Sequence, residues 1–234
     1  MGLRERLAQA LFGDVIAEQV KQAAAAVSVR IDDSAGWDRL SGGGPADRPW
    51  ADKYSDLEDT LEAWQKNFFV RRLVTLTRSY AVAGGITLTS DIPEVQTFIE
   101  EFWTHRQNRI DRRLGPICDE FTRAGEIFPV LFTNQADGMS YLRFIPASRI
   151  QDIETDPEDY ETELRYAQTQ DLTGEPKWWI GPGHKRAYET YYNKLQPLML
   201  HYAVNRPIGA TRGESDLLPV LPWARRYSEW LKDR

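Results

Sequence analysis

The chain has 234 residues, enough for one large domain or two small ones with a sizeable core. Its 35 acidic and 29 basic residues give a net charge of −6, which argues against tight, general binding of duplex DNA by counterion release, though not against a protein that lets DNA pass without holding it. No stretch approaches the ~20 apolar residues that span a bilayer, and the single Cys118 excludes an intrachain disulfide or a multi-cysteine zinc site, which fits a soluble protein of a reducing compartment.

The N-terminal "MGLRERLAQALFGDVIAEQV" scatters charge through its apolar residues and has no secretory core. Met1-Gly2 opens like a myristoylation signal, but the sixth position is Arg6 where Ser or Thr is required. Leu3 to Val29 reads as one or two helices, and Asp32 to Asp52 as a linker loosest at Gly42 to Pro45. The glycines there lack the Lys-Ser/Thr of a phosphate loop. Residues 1–54 are thus expected to form a helical arm and flexible linker, and 55–234 a single α+β domain.

Ser55 and Glu58 form a capping box, and Leu57, Leu61, Trp64 and Phe68 recur at the spacing of one buried helix face. The pattern runs on through Leu73, Leu76 and Tyr80 to "AGG", where Gly84 suits a left-handed cap before a strand-like "ITLTS". Arg71, Arg72 and Arg78 sit in the half where positive charge complements the helix dipole. Pro93 predicts the start of a short helix with Val95, Phe98, Ile99 and Phe102 on one face. Asn108 to Ala124 predicts another, bent at Gly115-Pro116.

The period then changes to two. "GEIFPVLFTNQADGMSYLRFIPASRI" predicts a hairpin through Asp137-Gly138. Further strands are predicted at Glu163–Gln168, Trp178–Ile180, Ala187–Tyr192 and Leu198–Val204. A last helix follows "RGESD", with Pro219 in its first turn and Pro222 kinking or restarting it. Helices, then mostly antiparallel strands, then a long amphipathic helix make an α+β fold.

Catalytic constellations are absent from the pattern. His105, His184 and His201 have no ligand at metal-site spacing, and His201 in "MLHYAV" reads as a half-buried, hydrogen-bonded strand residue. Cys118 falls on a helix face as a small thiol. The carboxylates of "ETDPEDYETE" (Glu154 to Glu163) read as a solvated acidic hairpin, because a raised-pKa acid needs an apolar pocket. No metal, cofactor or catalytic residue is expected. The alternatives carried forward are a non-viral hydrolase using the 154–163 carboxylates or Cys118, and a generic adaptor that binds protein through the aromatics of "KWWIGPGHKRAYETYYNKL".

Three stretches in order carry a resemblance: "NFFVRRLVTLTRSYAVAGGITLTSD" (Asn67–Asp91), "EFTRAGEIFPVLFTNQADGMSYLRFIPASRIQDIETD" (Glu120–Asp156) and "HYAVNRPIGATRGESDLLPVLPWARRYSEWLKDR" (His201–Arg234). Together they resemble the N-terminal, wing-containing half of tailed-bacteriophage portal proteins, with an arginine-rich helix before Gly-Gly, a GE-x-F strand with a hairpin, and a G-x-S-D turn before an apolar helix. The resemblance covers roughly Ser55 to Arg234. It implies a non-enzymatic subunit of a ring, commonly of twelve copies, at one vertex of the capsid. Double-stranded DNA passes through such a ring without sequence-specific binding. Its implied partners are terminase and then head-tail connector and capsid proteins, with no membrane. It would reside in the virion, and in the host cytoplasm during assembly. The stem, clip and tunnel loop of that family would lie beyond Arg234, so the last helix reads as one cut midway.

From the residues themselves, Gly213, Ser215 and Asp216 are expected to shape the turn and cap the last helix. Arg225, Arg226, Trp178 and Trp179 are candidate inter-subunit contacts.

Overall fold

The computed structural model describes residues 47–170, 174–188, 190–191 and 194–232, which belong to one compact unit beginning at Pro45. The helices expected over Leu3–Val29 and the linker up to residue 46 lie outside the described residues.

The first helix, α1 (Trp50–Lys66), begins ahead of the expected capping box, so the boundary drawn after residue 54 falls inside it. Pro49 precedes its first turn and Asp52 supplies the acidic charge that the helix start favours. Ser55 is therefore interior, and Glu58 accepts a hydrogen bond from the Tyr54 hydroxyl (2.6 Å) instead of closing a cap. The buried stripe of α1 is Lys53, Leu57 and Thr60, at i, i+4 and i+7, so a lysine leads the face that turns inward.

Where one long helix was expected there are two, because Asn67 leaves the helix (φ −105°, ψ 115°) and caps α2 (Phe68–Val82). Its Oδ1 accepts from the Phe69 and Val70 amides at 2.9 and 3.3 Å. The break rotates the expected stripe: Leu57 is buried, while Phe68 is 67% exposed. Val70 and Val74 become the inward face of α2.

Gly85 (φ +72°), and not Gly84, takes the left-handed conformation after α2, and the expected "ITLTS" strand makes no ladder. Helix α3 (Pro93–Thr104) starts at its proline as expected but buries no residue. Helix α4 (Ile110–Ala124) passes through Gly115-Pro116 as one element. Ahead of it Asn108, fully buried, donates to the carbonyls of Phe102 (3.1 Å) and Ser140 (3.0 Å) and accepts from the Leu142 amide (2.9 Å).

Among the described residues nine strands follow: β1 (Glu126–Thr133), β2 (Ser140–Ile145), β3 (Ile150–Asp156), β4 (Asp159–Gln168), β5 (Lys177–Ile180), β6 (Thr190–Tyr191), β7 (Lys194–Leu195), β8 (Leu198–Met199) and β9 (Tyr202–Ala203). Seven form a sheet of order β2-β1-β8-β5-β4-β3, with β9 also paired to β1, and β6-β7 stand apart as a small hairpin. Every pairing is antiparallel except β5 with β8. Of the strand expected at Ala187–Tyr192, Thr190–Tyr191 is extended, while Ala187 closes a turn onto the His184 carbonyl (2.9 Å).

The strand expected over Leu198–Val204 is split in two, and Pro129 supplies the reason. Both halves keep one register along β1, with Met199 opposite Val130 and Tyr202 opposite Ile127. Between them the Leu200 amide bonds the Pro129 carbonyl (2.8 Å), but Pro129 has no N–H to return. The ladder lapses there, and His201 sits at the gap.

A sheet-centred core gathers Leu57, Phe128, Val130, Ile150, Ile153, Tyr166, Trp179 and Met199. A second gathers Val70 and Val74 with Leu217, Leu221 and Ala224 at the start of α5 (Leu221–Lys232). A 3-10 turn holding Pro219 precedes α5, and Pro222 lies in its first turn, so the proline restarts the helix. The observed architecture is α+β: helices, a mixed but mostly antiparallel sheet, and a C-terminal helix. No helix among the described residues is long and apolar enough to cross a membrane.

Candidate functional site

Helix α4 must end before β1 begins, and Gly125 makes that turn at φ +78°. The segment 212–214 crosses directly over it. A Cβ on Gly125 would lie 2.2 Å from the Glu214 carbonyl carbon, and one on Gly213 would lie 2.1 Å from the Gly125 oxygen. Two glycines are needed because two backbones share a space that a side chain would fill. The Gly125 carbonyl also accepts from the Val204 amide (2.8 Å), tying the same point to the end of β9.

Beside this crossing, Glu126 is fully buried at the first position of β1. Arg212 meets it side-on: Nε lies 3.1 and 3.0 Å from the two carboxylate oxygens, and Nη2 lies 2.6 Å from Oε1. The rest of the guanidinium is used as well, with Nη1 donating to the Ile150 carbonyl (2.6 Å) and the group set between the rings of Trp50 and Phe128. The Gly213 amide donates to Glu126 Oε2 at 3.1 Å. Lys53 Nζ lies 3.5 Å from Oε1 and donates to the Gly213 carbonyl.

His201 lies in this lapse, opposite Phe128 in the β1 register, its side chain wholly buried and stacked on Phe128 at 4.4 Å with rings 2° apart. Nε2 stands 3.2 Å from Glu126, and Nδ1 stands 2.9 Å from Glu163 on β4. The Tyr166 hydroxyl donates to Glu163 (2.7 Å), and Arg206 approaches it at 3.4 Å. A carboxylate that read as part of a solvated acidic hairpin is therefore drawn inward by a histidine. The other end of the cluster is fastened by Asp47, which accepts from the Thr211 amide (2.8 Å) and hydroxyl (2.8 Å) and the Arg212 amide (2.9 Å).

These contacts set the protonation states. Burial alone would raise the Glu126 carboxyl, but the Arg212 charge and hydrogen bonds from His201 and Arg212 hold it far below the carboxylate range. Burial would lower His201, and its bonds to Glu126 and Glu163 reverse that, so the imidazole is raised above its ordinary value. Burial lowers Lys53, against the pull of Glu126. Burial raises the Tyr166 hydroxyl strongly, and the neighbouring Glu163 charge adds to it. Two carboxylates thus face the Arg212 guanidinium, the Lys53 amine and an imidazole whose protonated form they favour. Most of the group is closed to solvent, and it ties together α1, β1, β4, the β8–β9 segment and the 211–214 turn.

The expected site residues fall around this hub. Gly213 is the crossing itself. Ser215 Oγ accepts from the Leu217 amide (3.0 Å) and donates to the Thr122 carbonyl (3.0 Å), capping the turn while tying it to α4. Asp216 accepts from the Asn205 side chain (2.6 Å), which holds Asn205 at φ +54°. Arg225 pairs with Asp59 of α1 at 2.9 Å, and Arg226 lies over Trp223 at 5.5 Å. Trp178 is partly exposed beneath Arg165 (4.3 Å). Trp179 corrects the expectation of a surface contact: it is 7% exposed, belongs to the sheet core and donates its indole N–H to Gln168 (2.7 Å).

The thiol proposed for hydrolysis is not primed. Burial raises the Cys118 thiol and Asp119 raises it further, opposite to an activated nucleophile. His105 is engaged with the Tyr141 ring at 5.1 Å. Among the described residues no group of three or more His, Cys, Asp or Glu is arranged to hold a metal. Glu126, Arg212, Lys53 and Glu163 were missed by sequence reasoning. The available signals were a glutamate heading an apolar strand and a lysine at i−4 on the Leu57 stripe. No protein-family model matches the chain, and no curated protein resembles it in sequence.

Proposed function

We propose that the chain is a structural subunit of a tailed-phage portal ring, the vertex through which DNA enters and leaves the capsid. The observation that carries this reading is where the three resembling stretches meet. Gly125 and Glu126 of the second close on His201, Arg212 and Gly213 of the third. Asn67 of the first donates to Ala224 (3.3 Å) and Ser228 (3.1 Å) of the third. The motif residues at these meeting points are thus spent on holding the fold together, as a load-carrying part requires. In this reading the ring docks terminase during packaging and head-tail connector proteins afterwards, and duplex DNA passes through it unread.

The test is to express the complete open reading frame and examine it by electron microscopy and native mass spectrometry. Closed rings, about twelve-fold as the resemblance implies, are expected. Monomers or dimers alone, across the accessible concentration range, refute the proposal. A second reading, a protein-binding adaptor, is favoured by one observation: Phe68, Phe69, Tyr227 and Trp230 form an exposed aromatic run across α2 and α5, with adjacent ring centroids 5.3–6.0 Å apart. Rings that persist after Phe69→Ser and Tyr227→Ser separate the two readings.

A further inference from the structure

Between α4 and the β1–β2 hairpin lies a groove of about 560 Å³, within the size range of pockets that take a peptide side chain or small ligand. Its floor is apolar, including Pro116, Ile117 and Phe144, and its rim holds Arg113 and Arg143. Both guanidiniums lean on the same two backbone carbonyls. Arg113 reaches Leu142 (2.9 Å) and Gln107 (3.3 Å), and Arg143 reaches Leu142 (2.7 Å) and Gln107 (3.2 Å). Among the described residues neither lies within ion-pairing distance of a carboxylate. Two like charges are thus fixed together beside an apolar floor, while Glu120, which also lines the groove, is paired with Arg123. Burial and the Arg143 charge both pull Arg113 below its ordinary value.

The opposite edge of the sheet is the complement. β2 is one edge strand and β3 the other, five strand spacings or roughly 24 Å away. The β3–β4 hairpin at that far edge carries Asp156, Glu158, Asp159 and Glu161 about its tip, with no basic residue between 152 and 163. Asp156 and Asp159 bond only local groups of the turn, the amides of Glu158 (2.9 Å) and Glu161 (3.1 Å) and the Thr162 hydroxyl (2.7 Å). Tyr160 stands at the tip, 72% exposed, an aromatic with no core to enter.

We infer that the Arg113–Arg143 groove seats the acidic, Tyr160-bearing hairpin tip of a second copy of this chain. The carboxylates meet the two guanidiniums and the tyrosine ring meets the apolar floor, a charged rim around an aromatic anchor. Because groove and tip occupy opposite edges, the contact is head-to-tail. Repetition of such a contact closes into a ring when its rotation divides a full turn. The inference rests on the ring reading above and names the surfaces that would carry it.

The experiment uses two charge-swapped forms of the complete gene product, R113E/R143E and E158K/D159K/E161K, followed by native mass spectrometry and sedimentation velocity. Each alone is expected to lose assembly at least tenfold, since groove and tip then repel. An equimolar mixture is expected to recover it as an alternating assembly, each groove meeting an opposite tip. The tip substitutions lie on exposed residues, and R143E alone provides a groove variant should the double change unfold. Assembly of the groove variants at the wild-type level overturns the contact and leaves the ring reading standing. Loss in both singles without recovery in the mixture also overturns it. A wild-type protein that stays monomeric overturns both. Binding of a scrambled acidic peptide to the groove as tightly as the 155–163 peptide reassigns it to acidic segments in general and overturns the self-contact.

Discussion

Glu126→Gln changes two atoms' chemistry without changing the side chain's shape, and so isolates the charge at the hub. In the native arrangement Oε2 accepts from Arg212 Nε (3.0 Å), the Gly213 amide (3.1 Å) and His201 Nε2 (3.2 Å), while Oε1 accepts from Arg212 Nη2 (2.6 Å). Every group facing the carboxylate is a donor. A glutamine must place its NH₂ on one side or the other, so an N–H points at an N–H in either flip, and Arg212 and Lys53 remain buried without a counter-charge. Breaking a buried ion pair in this way costs about 3–5 kcal/mol. For a chain of this size that lowers Tm by roughly 6–20 °C, at about 2–4 °C per kcal/mol.

Urea unfolding followed by tryptophan fluorescence reads this loss, with Trp50 against Arg212 and Trp179 in the sheet core as reporters. A double-mutant cycle with Arg212→Met adds the decisive comparison. Each single change strands a charge that the double change removes, so the two costs are expected to fall short of additivity by about 0.5–3 kcal/mol. A loss below about 1 kcal/mol for Glu126→Gln, the level of a solvent-exposed pair, refutes the reasoning, as does simple additivity.

Two further outcomes follow from the same hub. His201 has a folded pKa raised above its unfolded value, so its contribution to stability is complete below about pH 6.5 and is lost as pH rises through the folded value. His201→Gln is expected to remove that fall from a plot of unfolding free energy against pH, and an unchanged slope above neutrality counts against it. Subtracting the variant curve isolates this contribution from Lys53, whose lowered pKa adds stability with the opposite sign at alkaline pH. Gly213→Ala puts a Cβ 2.1 Å from the Gly125 oxygen and 2.8 Å from the Val204 oxygen, both backbone atoms that cannot swing aside. A loss of about 3 kcal/mol in the urea transition is expected, and a loss under about 1 kcal/mol would mean that the crossing relaxes freely.

The legible parts of the fold were those decided by local physics. Pro93 starts a helix, Gly138 turns a hairpin at φ +69°, and Pro222 restarts a helix, each for reasons contained within a few residues. The misread parts were decided at a distance. Asn67 looked like one polar residue on a continuous helix, yet its side chain both caps α2 and reaches α5 more than 150 residues away. The α1 start was drawn too late because Asp47, which clamps Thr211 and Arg212, makes the preceding residues part of the fold. At the hub, His201 read as a hydrogen-bonded strand residue, but its partners lie 38 and 75 positions away. Glu163 was indistinguishable in sequence from its exposed neighbours, since only the sheet register decides which glutamate faces His201.

Charge distribution changes what the acidic composition means. Between Asp152 and Glu163 seven residues are acidic and none is basic, which exceeds the whole chain's excess of six. The remainder of the chain is close to neutral, so its net charge is no general coat that keeps DNA at a distance. Glu154 is paired with Arg165 and Glu163 with His201, while the tip carboxylates have no basic partner among the described residues. Carboxylates without a basic partner are thus concentrated at one sheet edge, and the Arg113–Arg143 pair lies near the other. Self-repulsion within the hairpin costs stability that salt screening or an opposite charge from outside can restore. The charge pattern is therefore the physical basis of the proposed contact between copies of the chain, and the proposed passage of DNA would have to be argued from other surfaces.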